Sequence, residues 1–68
     1  MRSWRRLVRK RVIVNQAERA FAGILWGQYG PLLVLRNAEL LQAGTAPQAL
    51  DGEVVIERAS VHFIQIVG

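Results

Sequence analysis

Hydrophobic and polar residues alternate along most of the chain with the period of two that is typical of β-strands. In the clearest segment, Phe21, Gly23 and Leu25 fall on one face of a strand. Elsewhere the strands are marked by short β-branched or leucine-rich runs. The pattern predicts five strands, at residues 12–14, 19–26, 32–35 with a ragged continuation to 42, 54–56 and 61–67.

Glycine and proline mark the connections between these strands. Gly27–Pro31 is predicted to be a turn, Ala43–Gly52 the longest loop, and Glu57–Ser60 a short connection. Gly23 lies inside the second strand, where glycine permits a sharp bend and a close backbone approach. Five strands with such a bend close into a small barrel that removes most exposed edges. The predicted fold class is therefore all-β, a strongly bent, open, five-stranded barrel.

The N-terminal segment has a different pattern. Trp4, Leu7 and Val8 have the spacing of one helical face, and Ser3 is a suitable N-cap. A short helix is therefore predicted from Ser3 to Arg9. We divide the chain into a basic N-terminal arm, residues 1–11, and a barrel, residues 12–68.

Charge separates these two parts further. Residues 1–11 contain six basic residues and no acidic residue, whereas the remaining chain has three basic and five acidic residues, a balance of −2. The positive net charge of the chain, +4, therefore comes from the arm, and the remaining chain is weakly acidic. Clustered cations bind phosphates with salt-sensitive, sequence-independent affinity, and Trp4 is suited to stacking on a base. An acidic protein surface is an alternative partner. The predicted contact residues are Arg2, Trp4, Arg5, Arg6, Arg9, Lys10 and Arg11.

The size and composition of the chain limit its stability as an isolated monomer. A chain of 68 residues has a marginal core, and the absence of cysteine excludes disulfides as a source of stability. Self-association or docking on a larger partner is therefore expected. The longest apolar run, Ala20–Gly27, is too short for a membrane span, and the basic start lacks the apolar run of a signal peptide. Contact with a membrane is not expected.

The residues for catalysis are missing from the sequence. His62 is the only imidazole and lies in a predicted strand, and no serine has a plausible triad around it. Glu53 and Glu57 have the spacing of a solvated strand face. One histidine without cysteine does not build a zinc site. We therefore expect a non-enzymatic protein with no metal and no cofactor.

The order of these features resembles an Sm-like barrel, the fold of Sm, LSm and bacterial RNA-chaperone proteins. Its first half has Arg, an aromatic residue, Gly and Leu at every second position, matched by Arg19, Phe21, Gly23 and Leu25. Its second half has a Gly, a Val/Ile triplet and Val-x-x-Ile. The matching residues here are Gly52, Val54-Val55-Ile56 and Val61-His62-Phe63-Ile64. The resemblance covers about residues 4–67 and implies a short helix followed by five strands.

Two departures concern the RNA site that this resemblance implies. Sm-like proteins that bind RNA carry Asp and Asn between the second and third strands, where this chain has Gln28-Tyr29-Gly30-Pro31-Leu32. They carry Arg-Gly before the last strand, where this chain has Glu57-Arg58-Ala59. The usual base-binding residues are therefore not carried over, and Glu57 is expected to repel phosphate.

The chain also resembles, in overall character, the small Arg-led virion proteins of actinobacterial tailed phages. The basic start and the segments GPLLVLR and DGEVVIERA carry this resemblance. It implies a structural component of a capsid, portal or tail, found in the virion and assembled in the host cytoplasm. An apolar turn tip is a candidate protein contact, made of Trp26, Tyr29, Pro31 and Leu32, although Trp26 is equally suited to closing the barrel.

Two functional hypotheses follow. The first is a structural module that docks on, or forms a ring with, protein subunits of a larger assembly such as a virion, its basic arm seated on an acidic surface or DNA. The second is a cytoplasmic Sm-like ring that binds RNA or DNA through the arm.

Overall fold

The computed structural model describes residues 8–68, which form one antiparallel sheet of six strands. The strands are β1 (Arg11–Asn15), β2 (Ala20–Tyr29), β3 (Leu32–Leu41), β4 (Gln48–Ala49), β5 (Glu53–Glu57) and β6 (Phe63–Ile66). A 3-10 helix at Arg58–Ser60 lies between β5 and β6. The predicted all-β fold class is confirmed. Within the described residues, no helix has the length and apolar character needed to cross a membrane.

The long strands β2 and β3 organise the sheet. The strand order is β4-β3-β2-β1-β6, and β5 also pairs with β3. β5 pairs with the first half of β3, at Leu32–Arg36, whereas β4 pairs with its second half at Glu39 and Leu40. In the described part of the chain, β5 pairs only with β3 and β6 only with β1. The barrel is therefore open, with one unpaired edge on each of these strands.

The bend in β2 lies at Gly23, as the sequence predicts. The pairing with β3 shifts register between Ala22 and Ile24. A Cβ atom at Gly23 would lie 3.1 Å from the carbonyl oxygen of Arg36 and 3.2 Å from Cα of Ala38. Opposite it, Asn37 has a positive φ of 51°, a conformation that asparagine tolerates better than most residues. The missing side chain thus lets β2 and β3 approach closely where both strands bend.

The core lies on the inner face of this bent sheet. Its side chains come from every strand except β4 and follow the period of two. The buried cluster comprises Val12, Val14, Leu25, Leu33, Leu35, Ala38 and Ile56, with Phe21, Val54, Val61 and Ile64 packed against it. The described residues include no buried polar or charged residue. Burial of apolar surface is therefore the main stabilising contribution to this face.

The predicted helix does not include Val8 and Arg9. Val8 and Arg9 lie in a turn, and Arg9 has a positive φ of 70°, which is incompatible with an α-helix. Residues 1–7 of the predicted segment lie outside the described residues. The first strand, β1, begins at Arg11, and the division into arm and barrel stays a prediction.

Other boundaries also differ from the sequence-based prediction. Gly27 is a buried strand residue, not part of the turn, because β2 continues to Tyr29 past a second register shift between Leu25 and Gly27. The turn itself is Gly30-Pro31, where Gly30 has φ of 59°. The predicted long loop contains β4, whose exposed side chains give no alternating pattern.

The last strand is shorter than predicted. Val61 donates its backbone N–H to the carbonyl oxygen of Arg58, which closes the 3-10 helix, so β6 begins only at Phe63. The predicted ragged continuation of the third strand is instead a regular part of β3, which runs to Leu41.

Candidate nucleic-acid interface

Two turns lie side by side at one end of the barrel, and we call residues 28–32 and 57–60 the paired turns. The backbone N–H of Arg58 donates to the carbonyl oxygen of Pro31 at 2.8 Å. The side-chain amide of Gln28 donates to the carbonyl oxygen of Gly30 at 3.1 Å, which braces the first turn. Tyr29 is 63% exposed. The paired turns therefore present an aromatic ring to solvent from a hydrogen-bonded support.

The glycine at position 27 explains the position of that ring. A Cβ atom at Gly27 would lie 3.2 Å from ring atoms of Tyr29, so the ring covers the backbone of β2. One face of the tyrosine is thus supported by the protein. An exposed aromatic ring held in this way is suited to stacking on a base, which is sequence-tolerant because every base has a π-face.

An open cleft of about 400 Å³ lies beside the second of the paired turns. It is lined by residues 16–19 together with Ala59, Ser60 and His62. The hydroxyl of Ser60 accepts a hydrogen bond from the Gln16 side chain at 2.8 Å and donates to the carbonyl oxygen of Glu57 at 2.7 Å. These bonds fix the turn to the chain between β1 and β2. Among residues 8–68, no group of three or more His, Cys, Asp or Glu residues is placed to hold a metal ion.

The described part of the basic arm runs along β2. Arg9 donates its backbone N–H to the carbonyl oxygen of Leu25, at 2.6 Å, and Leu25 in turn donates to the carbonyl oxygen of Lys10 at 3.0 Å. Arg9, Lys10 and Arg11 are all exposed. The backbone of this segment is therefore fixed on the barrel, and the three cations lie at its surface.

Trp26 contacts two cations, one from each side of β2. The guanidinium carbon of Arg9, just before β1, is 4.1 Å from the centroid of the indole ring. That of Arg36, on β3, is 4.0 Å from the same centroid. Both distances fall within the range of cation–π contacts. Arg36 also donates from Nε to Oε2 of Glu53 at 2.8 Å.

The two unpaired sheet edges carry exposed apolar side chains. Val55 on β5 is 56% exposed, and Phe63 and Ile66 on β6 are 57% and 54% exposed. Val67, which follows β6, is also largely exposed. An edge strand with free backbone groups and apolar side chains is a template for pairing with another chain. These strands are candidate assembly edges.

The structure divides the predicted contact residues. Arg2, Trp4, Arg5 and Arg6 lie outside the described residues, whereas Arg9, Lys10 and Arg11 are exposed. Of the predicted turn-tip patch, Tyr29 and Pro31 are exposed, Leu32 is half-buried, and Trp26 contacts Arg9 and Arg36.

The sequence-based prediction did not include Arg36, Glu53, Val55, Phe63 or Ile66. The opposite charges of Arg36 and Glu53 become a signal only when the register of β3 and β5 is known. The edge residues have the same β-branched or aromatic character as core residues, so their exposure depends on which strands lie at the ends of the sheet.

Similarity to a solved structure extends over nearly the whole chain. The chain is similar to a Pyrococcus abyssii Sm protein whose structure was solved in complex with a uridine heptamer. The two have 29% sequence identity and a TM-score of 0.78, over 93% of this chain and 90% of that chain. No protein-family model and no curated protein sequence matches the chain. This similarity over nearly the whole of both chains, together with the antiparallel sheet described above, identifies this chain as a small all-β protein with an Sm-like fold.

Proposed function

We propose that the protein is a non-enzymatic, Sm-like ring that binds single-stranded nucleic acid, with RNA as its main ligand. The observation that carries this proposal is the similarity, over 93% of the chain, to an Sm protein solved with a uridine heptamer. Two features of this chain's own residues support it, one for RNA contact and one for assembly.

The support for RNA contact lies at the paired turns. Tyr29 presents an exposed ring that rests on Gly27, and its turn is hydrogen-bonded to the turn that contains Arg58. Stacking of a base on an aromatic side chain contributes about 1–3 kcal/mol. The carboxylate of Glu57 on the same turns opposes phosphate, so we expect a modest affinity at each copy. Repetition of the site around a ring raises the overall affinity through effective concentration.

The support for assembly lies in the two candidate assembly edges. β5 and β6 each leave one edge unpaired within the described chain, so β5 of one copy is available to pair with β6 of the next. Such a head-to-tail interface is heterologous, and it closes into a ring when the rotation between neighbours divides a full turn. Burial of Val55 and Phe63 at this interface would add to a core that is small for an independent domain.

RNA binding is tested with fluorescently labelled uridine heptamer, titrated with the protein at low and moderate salt. Tyr29→Ala removes the ring, and we expect it to weaken binding by about 5- to 100-fold, as loss of one stacked base implies. Tyr29→Phe keeps the ring and serves as the matched control, with affinity close to that of the original chain. If the heptamer does not bind, or if Tyr29→Ala binds as well as Tyr29→Phe, the proposed RNA site is wrong.

The structural role in a phage particle stays a prediction. The similarity to an Sm protein supports the ring that binds nucleic acid, and it says nothing about a capsid, portal or tail. Location in a virion or in the cytoplasm likewise stays a prediction.

A further inference from the structure

Two arginines contact Trp26 on the outer face of the sheet, and a third, Arg11, lies in the neighbouring cross-strand row. Arg9 and Arg36 each place their guanidinium carbon about 4 Å from the indole centroid. Arg11 lies in the same row, since Arg11, Ile24 and Arg36 are direct cross-strand partners on β1, β2 and β3. We call Arg9, Arg11, Arg36 and Trp26 the outer-face cluster.

The indole organises these cations and is not itself open to a base. Arg9 comes from the β1 side of β2 and Arg36 from the β3 side, so Trp26 is flanked by both guanidinium groups. A guanidinium that packs on an aromatic ring uses its planar face, and its N–H donors point outward in the plane. Those edges have the geometry for bidentate hydrogen bonds to phosphate or carboxylate oxygens.

The charges around the cluster favour an anion. Among the described residues, the carboxylate hydrogen-bonded to this cluster is that of Glu53, which accepts from Nε of Arg36, its cross-strand neighbour. Glu39 pairs with Ala22, on the other side of the Gly23 bend. Lys10, between Arg9 and Arg11 in the sequence, is also exposed. The local excess of positive charge is therefore built into the fold and does not depend on residues 1–7.

We propose that the outer-face cluster binds the phosphate backbone of a nucleic-acid strand, at a site separate from the paired turns. Trp26 acts as a positioning residue that holds Arg9 and Arg36 for this contact. The proposal rests on the proposed nucleic-acid function and adds a second site to it. Because phosphate contacts position a strand without reading its sequence, this site is expected to add salt-dependent affinity and no base preference.

The site is tested by comparing two RNA lengths. A strand about three times longer than the heptamer exceeds what one aromatic turn contacts and is able to reach the outer face. Trp26→Leu is expected to weaken binding of the long strand about 3- to 10-fold and to lower the dependence of its affinity on salt. The heptamer affinity is expected to stay within twofold. Circular dichroism of the variant shows whether the barrel is folded.

A second variant changes the affinity in the opposite direction. Glu53→Gln removes the carboxylate beside Arg36, so we expect it to strengthen binding of the long strand about 2- to 5-fold. Asp51→Asn is the matched control, because it makes the same change in net charge in the exposed loop two residues away. A purely structural role of the Arg36–Glu53 pair predicts weaker or unchanged binding. If Glu53→Gln and Asp51→Asn strengthen binding of the long strand equally, the effect comes from net charge alone, and this result would contradict a local site.

The outcomes separate this inference from the proposed function. If both RNAs bind and neither Trp26→Leu nor Glu53→Gln changes the affinity for the long strand, the outer-face site is wrong and the proposed function stands. If the affinity for the long strand depends on Trp26 while the heptamer does not bind, the outer-face site is supported and the paired-turn site is wrong. If neither RNA binds, both are wrong. If poly-glutamate binds as tightly as the long strand, with the same dependence on Trp26, the face recognises acidic protein and the nucleic-acid assignment is overturned.

Discussion

The two faces of the β1–β2–β3 sheet are held together in different ways. On the inner face, side chains such as Val12, Leu25 and Leu35 are fully buried and belong to one apolar cluster. On the outer face, Arg11, Ile24 and Arg36 lie in a row, and Trp26 contacts two guanidinium groups. The inner face therefore depends on burial and the outer face on specific pairs of charges and rings. The inner face therefore supplies stability, and the outer face is where we propose that recognition takes place.

The largest expected difference between the faces is in the loss of stability on substitution, compared at two adjacent residues of β2. Leu25→Ala leaves a cavity in the core and is expected to lower the free energy of unfolding by about 2–5 kcal/mol. Ile24→Ala, on the outer face, is expected to lower it by about 1 kcal/mol, because Ile24 is only half-buried and its neighbours remain hydrated. Urea unfolding followed by circular dichroism measures both. Equal losses would remove the distinction between the faces.

A second test concerns the bend that joins the two halves of the sheet. Gly23→Val places a branched side chain against the Arg36 carbonyl and the Ala38 backbone, which the sheet holds in place. We expect a loss of about 1–3 kcal/mol in the free energy of unfolding, as for other overpacked sites. Ala22→Val, one residue earlier and on the outer face, is the control and is expected to change stability by less than about 1 kcal/mol. A stable Gly23→Val variant would show that the close approach is not required.

The smallest expected effect is the coupling between Arg36 and Glu53. Their side chains are 45% and 47% exposed, so solvent screens the ion pair. A double-mutant cycle with Arg36→Gln and Glu53→Gln is expected to give a coupling of about 0.2–1 kcal/mol that shrinks as salt is added. A coupling well above this range, or one insensitive to salt, would mean that the pair stabilises the fold substantially and that the two faces do not differ in this respect.

Much of the fold was predictable because burial has a simple periodicity. The period of two identified the strands with a buried face, and Gly23 marked the bend, since a Cβ atom at this position would lie only about 3 Å from backbone atoms of β3. Strand ends were less predictable. Gly27 is of a residue type that is typical of turns, but β2 continues to Tyr29 past the register shift at Trp26.

The site was predicted only in part. Arg9, Lys10 and Arg11 were identified by their charge density, and Tyr29 by its position in a turn. The pairing of Trp26 with Arg9 and Arg36 was not predicted, because the three residues come from separate segments and meet only through the strand order. The exposure of Val55 and Phe63 likewise depends on which strands end the sheet.

The most direct test of the proposed ring is the native mass of the protein, measured over a wide range of concentrations with and without uridine heptamer. We predict one discrete oligomer that persists on dilution and binds the heptamer, and we predict that Val55→Asp, which places a charge on a candidate assembly edge, reduces it to single folded chains. A wild-type chain that stays folded and monomeric at every concentration, with heptamer present, would contradict the ring.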